Sequence, residues 1–596
     1  MRALFDILIK NAQIIDGSGK DRFISDVAVE NGKIVKIANS IDGDAAEIID
    51  ATGKILTPGF FDMHSHADFT VAAYPHMEGL LGQGVTTCFC GHCGMGVAPI
   101  DKYYIETPGG VDGAAISRLV PPLGGGPNPI KFRIVDTEAL RPVFGDATGT
   151  ELDWTSFGEY LQHLEKSGVG CNLVINVSHA QIRVQVLGLD YRRSATKEEV
   201  EQMKVYVREA MEAGAAGMST GLEYCPGTYA DTYELTELAR VVAEYDGVVT
   251  SHLQWRKSRC EKIMPQHEGV DGVCEMLDIG KNTGVRIHIS HMLNGYTVSP
   301  NDAMMERAGV RRLLEVIDGY RKEGVRVSWD VLPYDAVAIY YFPQLATYMR
   351  PYVDECGGKQ KFSRALKIGD YRDRIAQEIK SGGHRSASPL VRFDPTTNPE
   401  WAKLYVITKC TEQKYVGKTI LELAQETGKD SVDVMLDILQ EDPEAGCGAW
   451  RPYPAQRFYE YNLAEDATIG LDNVALDYDY FHQDAEDMPY ELGTPSAYCG
   501  MVSYIEQELL PRLEDTIKRL TGNAATALGL TDRGFIKEGL SADIVIMDYE
   551  NLASNKNFVD PRTAPSGIDY VIVNGKIAVD HTQQKHPHSG RVYRFR

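Results

Sequence analysis

The sequence predicts an α/β protein in which a parallel (β/α)8 barrel, the TIM-barrel architecture, carries a small β domain built from both chain ends. Three observations lead to this prediction. The chain has 596 residues, too many for one compact core. Both ends contain short strand-like stretches joined by tight turns. The middle alternates apolar strand candidates with amphipathic helix patterns, which is typical of a parallel sheet.

The two ends of the chain carry the same hairpin signal. An Asn-Gly pair stands at 31–32 and another at 574–575, each between alternating apolar residues. Asn-Gly in that setting is typical of a two-residue β-hairpin turn. We therefore expect residues 1–57 and 531–596 to form one β domain together. Its strand candidates are residues 7–9, 14–15, 26–29, 34–37, 542–547 and 570–573.

Strand and helix patterns alternate through residues 58–530. Thr196 and Glu199 form a capping box in front of apolar residues at helical spacing, and Gly214 ends that pattern. The repeated units predict a parallel sheet, and the length of this middle part fits a (β/α)8 barrel. Its strand candidates include residues 172–177, 247–253, 285–291 and 325–332.

One long segment, residues 101–150, interrupts the alternation. It contains the stretch 124–129, which reads Gly-Gly-Gly-Pro-Asn-Pro. Glycine and proline at this density predict a loop. The segment is interpreted either as a lid over a site or as a surface insertion.

Composition limits the partners that the protein can have. The formal net charge is −23, which argues against nucleic acid and anionic membrane surfaces, because those partners need clustered Lys and Arg. No run of about 18 apolar residues predicts a membrane span. The N-terminus shows no secretory signal, and 11 cysteines are thinly spread, so we expect a cytoplasmic protein. The sequence leaves open whether the chain forms a homo-oligomer.

The strongest chemical signal is the stretch 59–68, which reads Gly-Phe-Phe-Asp-Met-His-Ser-His-Ala-Asp. Residues two apart on a strand point to the same face, so His64 and His66 can present two imidazoles to one metal ion. A bare His-x-His is weak evidence. Its position, directly after a β-rich leader and the apolar residues 55–58, predicts the end of a first barrel strand.

A second cluster lies in the stretch 84–94, which contains Cys88, Cys90, His92 and Cys93. A thiolate is a strong metal ligand. Alone, the cluster could be a structural zinc site, but no second Cys/His pair stands at zinc-finger spacing. We expect one of these residues to face the active site, while Cys88 and Cys90 pack within a strand.

Two further histidines, His252 and His291, lie near the carboxyl ends of apolar strand candidates. A buried structural histidine is the usual interpretation of each alone. Together with the His-x-His and a cysteine, they favour a metal centre. His288 is out of phase with His291 on the strand, so we expect it to point outward, and His179 is a candidate neighbour of the site.

Asp472, in the stretch Thr468–Asn473, is a candidate carboxylate at the end of the last barrel strand. There it could accept a proton from metal-bound water. The alternative is an ordinary turn, because Asp-Asn is common in turns.

Taken together, these motifs resemble the amidohydrolase superfamily, and more closely its N-acyl-D-amino-acid deacylase (D-aminoacylase) family. The resemblance covers nearly the whole chain. It is carried by His64-Ser65-His66, residues 84–94, residues 221–227, Ser290-His291, Pro333-Tyr334 and residues 539–545.

The resemblance implies a (β/α)8 barrel with a β-sandwich made from both termini and a centre of one or two zinc ions. It implies that Cys93 bridges the ions. The remaining implied roles are His252 and His291 for the tighter ion, His64 and His66 for a second ion, Asp472 for catalysis, and Tyr224 and Tyr334 for the substrate pocket.

The implied reaction is hydrolysis of an amide C–N bond, in an N-acyl-D-amino acid or a related N-acyl amide, by metal-activated water with Asp472 as general acid and base. Three positions depart from the family pattern. Leu293 replaces a lysine that helps to hold the substrate carboxylate, Gln254 replaces an arginine, and the usual Ser-Asp-Gly around the catalytic aspartate is Leu471-Asp472-Asn473.

An apolar leucine cannot pair with a carboxylate, so we expect the substrate to lack this group or to place it elsewhere. Arg256, Lys257 and Arg259 are candidate substitutes, and a solvated charged loop is the simpler interpretation of them. Two alternatives stay open. One is a cyclic amide or ureide hydrolase, or a deaminase, on the same scaffold; the other is a non-catalytic binding protein.

Overall fold

The computed structural model has the predicted α/β class. It describes the following residues, called the described residues below: 4–105, 134–222, 225–253, 267–268, 270–293, 295–296, 303–333, 345–381, 401–403, 405–449, 455–479, 495–557 and 561–595.

The strands are β1 Leu4–Ile14, β2 Phe23–Glu30, β3 Lys33–Ala38, β4 Asp44–Asp50, β5 Ile55–Pro58, β6 Phe60–Ser65, β7 Val85–Cys90, β8 Tyr103–Ile105, β9 Ile134–Asp136, β10 Asn172–Ile175, β11 Val177–Ser178, β12 Gly217–Gly221, β13 Val248–His252, β14 His267–Glu268, β15 Arg286–Ile289, β16 Gly295–Tyr296, β17 Val327–Val331, β18 Tyr405–Lys409, β19 Gly446–Ala449, β20 Thr468–Ile469, β21 Ile544–Met547, β22 Ile568–Val573, β23 Lys576–Asp580 and β24 Gln583–Gln584.

The α-helices are α1 Glu78–Gly82, α2 Thr137–Thr148, α3 Phe157–Ser167, α4 His179–Leu187, α5 Lys197–Ala213, α6 Thr232–Glu244, α7 Val270–Thr283, α8 Ala303–Lys322, α9 Leu345–Tyr348, α10 Arg350–Cys356, α11 Lys359–Ala365, α12 Gly369–Lys380, α13 Ile420–Thr427, α14 Ser431–Glu441, α15 Ala455–Leu463, α16 Pro495–Glu506, α17 Leu513–Leu520 and α18 Gly522–Leu528.

Both chain ends contribute strands to one sheet, in the order β24-β23-β22-β21-β5-β1-β2-β3, with β4 paired to β1. The two predicted hairpins are present. Asn31 and Gly32 have φ of 51° and 77°, and Asn574 and Gly575 have φ of 49° and 76°. Both residues of a type I′ turn need positive φ, which explains the Asn-Gly pairs. β5 and β21 join the two ends by antiparallel pairing.

The middle of the chain contributes a series of parallel strands. β6 pairs with β7, and β7 pairs with β10. One residue, Asn176, separates β10 from β11. From β11 the sheet continues in the order β11-β12-β13-β15-β17-β20. Backbone hydrogen bonds also link the first and last strand regions, from Asp472 N to His64 O at 2.7 Å and from His66 N to Asn473 O at 2.7 Å. The carboxyl ends of these strands therefore lie at one common edge.

Helices between the strands bury their apolar faces against this series, and α5 is an example. Thr196 caps its N-terminus in a capping box with Glu199, and Gly214 ends it at φ 108°. A glycine tolerates this left-handed conformation without a Cβ clash. Val200, Met203 and Val207 are buried on one face, as the spacing predicts.

Residues 345–449 contain a second hydrophobic core, inserted between β17 and β20. Its centre includes Leu345, Met349, Ile407 and Met435, all fully buried. An insertion was predicted at 101–150, whereas this unit was not predicted. Of that earlier segment, β8 and β9 pair antiparallel and α2 follows, while residues 106–133 lie outside the described residues.

The C-terminal tail leaves the terminal sheet and runs beside β10. Leu173 N donates to Arg591 O at 2.8 Å, and Tyr593 N donates to Leu173 O at 2.7 Å. Tyr593 and Phe595 pack against the core residues at the amino ends of the parallel strands. The last residues of the predicted β-domain segment 531–596 therefore lie against the parallel strands and not in the terminal sheet. No helix in the described part of the chain is long and apolar enough to cross a lipid bilayer.

Candidate metal centre

The six residues that the sequence analysis selected as ligands or catalyst come together at the common carboxyl edge. His64 and His66 both come from the end of β6, and each of the other four residues ends or follows a different strand. All six are buried, with no more than 3% of any residue exposed. We call this group the ligand cluster: His64, His66, Cys93, His252, His291 and Asp472.

Cys93 occupies the centre of the ligand cluster. Its Sγ lies 3.3 Å from His64 Nε2, 3.5 Å from His252 Nδ1 and 3.6 Å from His291 Nε2. Two sets of ligand atoms share this sulfur, and within each set all atoms lie within 4.8 Å of one another. One set is Cys93, His252 and His291; the other is His64, His66, Cys93 and Asp472.

Asp472 faces the histidine pair of β6. Its Oδ1 lies 3.3 Å from His64 Nε2 and 3.2 Å from His66 Nε2. Asp472 Oδ2 and His66 Nδ1 are buried and have no hydrogen-bond partner among the described residues. Buried polar atoms without partners are rare, so this arrangement suits a ligand that completes their bonding.

The backbone at the ligand cluster is locally strained. Cys93, His291 and Asp472 adopt positive φ of 57°, 38° and 52°. For a residue with a Cβ, this left-handed conformation costs on the order of 1 kcal/mol or more. Half of the ligand cluster is thus held in a conformation that its own residue type disfavours.

The electrostatics of the ligand cluster favour a thiolate. Burial raises the pKa of the Cys93 thiol, but His64 and His252 outweigh burial and hold that pKa well below its ordinary value. Burial lowers the pKa of His66, yet Asp472 and Cys93 raise it to about 9. Burial raises the pKa of Asp472, and His64 and His66 bring it below its usual value.

These residues fit a zinc-like ion. Thiolate, imidazole and carboxylate are the usual zinc donors, and all three occur here within bonding reach of a common point. A metal ion displaces protons from such donors, so it would supply the positive charge that protonated histidines otherwise supply. The buried atoms of Asp472 and His66 without partners are consistent with this exchange.

Sequence reasoning missed Asp330, the most connected carboxylate beside the ligand cluster. It lies in β17 and is fully buried, with Oδ2 3.2 Å from His64 Nδ1 and 2.9 Å from His288 Nε2. A signal was available, because an aspartate between Trp329 and Val331, within a predicted buried strand, is unusual.

The prediction that His288 points outward was wrong. His288 is buried and contacts Asp330, and its Nδ1 lies 2.8 Å from Ser328 Oγ. The period-two count failed because β15 ends at Ile289 and the chain turns before His291, whose φ is 38°. His92 is also buried, with its ring 4.2 Å from that of His64.

His179 lies outside the ligand cluster and belongs to a second buried group. His179 Nε2 lies 2.8 Å from Glu234 Oε1, and Arg183 Nη1 lies 3.5 Å from Glu234 Oε2. All three side chains are fully buried. We call this group the Glu234 cluster: His179, Arg183 and Glu234. Cys88 and Cys90 are buried within β7, where burial raises the pKa of both thiols.

Of the three predicted substrate-binding residues, the structure describes Leu293, which is 4% exposed and follows His291 by two positions. The predicted pocket residues Tyr224 and Tyr334 lie outside the described residues. So do Gln254 and the candidate carboxylate partners Arg256, Lys257 and Arg259.

A sequence model of the amidohydrolase family matches residues 47–263 and 497–579, together half of the chain. The chain belongs to the amidohydrolase family. This confirms the predicted family and the predicted enzyme class, a hydrolase of carbon–nitrogen bonds other than peptide bonds.

This amidohydrolase is similar over its whole length to characterised proteins. It is 26% identical to the N-acyl-D-aspartate deacylase of Alcaligenes xylosoxydans xylosoxydans, over 96% of this chain and 91% of that one. It is 25% identical to the N-acyl-D-glutamate deacylase of the same organism, over 100% and 97% of the two chains.

Two solved structures share the fold of this amidohydrolase. A D-aminoacylase has a TM-score of 0.65 and 23% identity, with 99% of each chain covered. The N-acyl-D-glutamate deacylase of Bordetella bronchiseptica, complexed with zinc and a phosphonate inhibitor, has a TM-score of 0.65 and 24% identity, with 99% of this chain and 100% of that chain covered.

Proposed function

We propose that this amidohydrolase is a zinc-dependent deacylase of N-acyl-D-amino acids or related N-acyl amides. One observation carries the proposal: the Cys93 sulfur lies within 3.6 Å of three imidazoles from three strands, with Asp472 at the same point. The full-length similarity to deacylases of acidic N-acyl-D-amino acids supports the substrate class.

The proposed architecture follows from the strand pairings. Residues 58–530 form a (β/α)8 barrel in which the hydrogen bonds between the β6 and β20 regions close the ring. Residues 1–57 and 531–596 form a β-sandwich domain, apart from the tail beside β10. The thin spread of 11 cysteines supports a cytoplasmic enzyme.

The two sets of donor atoms suggest the roles of the ligands. Cys93, His252 and His291 would hold one zinc ion, and His64 and His66 would hold a second ion that shares Cys93. Both sets are closed from solvent by burial. Because both sets include the Cys93 sulfur, this one cysteine would serve both ions.

Zinc held by these residues would supply activation of water near neutral pH and polarisation of the substrate carbonyl group. Asp472 would act as the general base, because its buried carboxylate oxygens have no hydrogen-bond partner among the described residues and the pKa of this carboxyl is held low. The oxygen of the water would form the new C–O bond at the acyl carbon, and the Asp472 carboxyl would return the proton to the leaving nitrogen as the C–N bond breaks, which gives a carboxylic acid and an amine.

Leu293 contributes an apolar wall beside the centre. Tyr224 and Tyr334 complete the proposed pocket. The substrate carboxylate is held by a group other than residue 293, because a leucine side chain offers it neither a charge nor a hydrogen bond.

Elemental analysis of the wild type and of Cys93→Ala tests this function. We expect one or two zinc ions per wild-type chain and a near-complete loss of metal in Cys93→Ala, because the variant removes the ligand shared by both sets. Cys88→Ala is the matched control, since Cys88 is also buried but belongs to neither set.

Activity on a panel of N-acetyl-D-amino acids, their L-enantiomers and their carboxamides completes the test. We expect hydrolysis of at least one N-acyl-D-amino acid or its amide by the zinc-loaded wild type. A wild type that contains no metal, and gains no hydrolysis when zinc is added, contradicts the proposal.

A further inference from the structure

Asp330 connects two of the proposed ligands, although it belongs to neither set that includes Cys93. Its Oδ2 lies 3.2 Å from Nδ1 of the His64 ring, and its Oδ1 accepts a hydrogen bond from the backbone N–H of His291 at 2.9 Å. His64 comes from β6 and His291 follows β15, so one carboxylate of β17 spans both sides of the centre.

We propose that Asp330 is a positioning residue of the metal centre: it keeps His64 with Nε2 turned toward Cys93 and Asp472, and it anchors the backbone turn that presents His291. This inference rests on the proposed function, because it assumes that the ligand cluster holds a metal ion.

Asp330 fixes the tautomer of His64. Its Nε2 lies 3.3 Å from Cys93 Sγ and 3.3 Å from Asp472 Oδ1, so Nε2 is the nitrogen that faces the metal position. A neutral imidazole carries its proton on one nitrogen and a lone pair on the other. An ionised carboxylate only accepts, so Asp330 keeps the proton on Nδ1 and leaves the Nε2 lone pair for the metal.

Asp330 also holds the backbone of His291. This residue has φ 38°, a backbone conformation that is costly for a residue with a Cβ. Its N–H donates to Asp330 Oδ1, and the next N–H, of Met292, donates to Asp330 O at 2.8 Å. Both bonds hold the turn in the strained form that directs His291 Nε2 toward Cys93.

The surroundings leave Asp330 little freedom to move. His288 Nε2 lies 2.9 Å from its Oδ2, and a Cβ added to Gly470 would lie 3.1 Å from its Oδ1 and 2.3 Å from His64 Cβ. Only glycine at 470 permits this close approach of the β6, β17 and β20 regions.

Asp330→Asn is the sharpest variant because it keeps the size of the side chain. The amide oxygen must face the His291 N–H, since an amide NH2 there would oppose another donor. The NH2 group then faces His64 Nδ1, which must accept, so the His64 proton moves to Nε2 and blocks the metal.

We expect Asp330→Asn to bind zinc about 10- to 100-fold more weakly than the wild type. The measurement is competition of each purified protein with a metal-binding chromophore, followed by elemental analysis. Equal zinc affinity in the folded variant and the wild type overturns the proposal.

Two variants separate positioning from a general loss of structure. Glu234→Gln also neutralises a fully buried carboxylate that contacts a histidine, but in the Glu234 cluster, and we expect it to retain zinc at the wild-type affinity. His288→Gln can still donate to Asp330, and we expect less than a threefold change. If Glu234→Gln weakened zinc binding as much as Asp330→Asn does, the effect would come from neutralising any buried carboxylate, and the proposal would be overturned.

A crystal structure of the zinc-loaded wild type tests the role of Asp330 even if Asp330→Asn does not fold. We expect zinc on His64 Nε2, with Nδ1 within hydrogen-bond distance of Asp330. Zinc on Nδ1, or zinc bound by Asp330 itself, overturns the proposal. A wild type without metal is a different result, because it contradicts the proposed function on which this inference rests.

Discussion

The ligand cluster and the Glu234 cluster both bury histidines beside a carboxylate near the carboxyl ends of the parallel strands, and the two differ in the source of their positive charge. In the Glu234 cluster the carboxylate has Arg183 at 3.5 Å and His179 at 2.8 Å. In the ligand cluster the ion-pair contacts of Asp472 involve histidines alone, and no Lys or Arg of the described chain lies within 4 Å of it.

This difference shows which cluster is structural and which is reserved for a ligand. A buried carboxylate needs a compensating charge, or it is strongly destabilising. Arg183 supplies that charge permanently, because a guanidinium stays protonated at any ordinary pH. Histidines supply it only while protonated, and a metal ion can take the place of those protons. The two carboxylates are equally buried, but burial indicates a structural role in the Glu234 cluster and a ligand site in the ligand cluster.

The largest effect on turnover is expected for Asp472→Asn. The variant should keep its metal, since Cys93 and the four histidines remain, but it loses the group that accepts and returns the proton. We expect kcat to fall by about 10²- to 10⁴-fold. The measurement is kcat per bound metal ion, with elemental analysis of the same sample. Wild-type turnover would show that Asp472 is a turn residue and would remove the catalytic role from the ligand cluster.

Glu234→Gln should change stability while leaving the metal in place. It leaves Arg183 as an uncompensated buried cation, which typically costs about 3–5 kcal/mol in the free energy of unfolding. Denaturant unfolding of wild type and variant measures this loss. The double variant Glu234→Gln/Arg183→Met removes both charges and should recover part of it. No recovery would mean that the pair is not the source of the loss.

The smallest effect is expected at a half-exposed pair, Arg193–Glu199, whose side chains are 38% and 20% exposed. Hydrogen bonds from Arg193 lower the pKa of Glu199 from 4.5 to about 2. We expect Glu199→Gln to cost less than about 1 kcal/mol at pH 7, because solvent screens the pair. Gln at this position can still complete the capping box, so the variant isolates the charge.

The pH dependence of that small effect follows from the sign of the shift. The folded pKa lies below the unfolded value, so the ion pair stabilises the folded state above pH 4.5 and loses this contribution as the pH falls toward 2. Unfolding of wild type and Glu199→Gln at pH 7 and pH 3 should give a smaller difference at pH 3. A larger difference at pH 3 would contradict the assignment.

The sequence alone determined the features that depend on a few neighbouring residues. The Asn-Gly turns, the capping box at Thr196 and the strands of the α/β middle needed only local conformational preferences. Four histidines and Asp472 of the ligand cluster were also predictable, because the carboxyl ends of parallel strands meet at one edge wherever the strands lie in the chain. The choice of Cys93 within residues 84–94 came from the resemblance to the deacylase family.

Features that depend on contacts between distant segments could be read from the folded chain alone. Asp330 and His64 are 266 positions apart, and nothing near either residue in the sequence indicates that they touch. The inward direction of His288, the second core at 345–449 and the tail beside β10 have the same origin. Local signals predict which elements form and where strands end, whereas side-chain partners across strands are set by how all elements pack together.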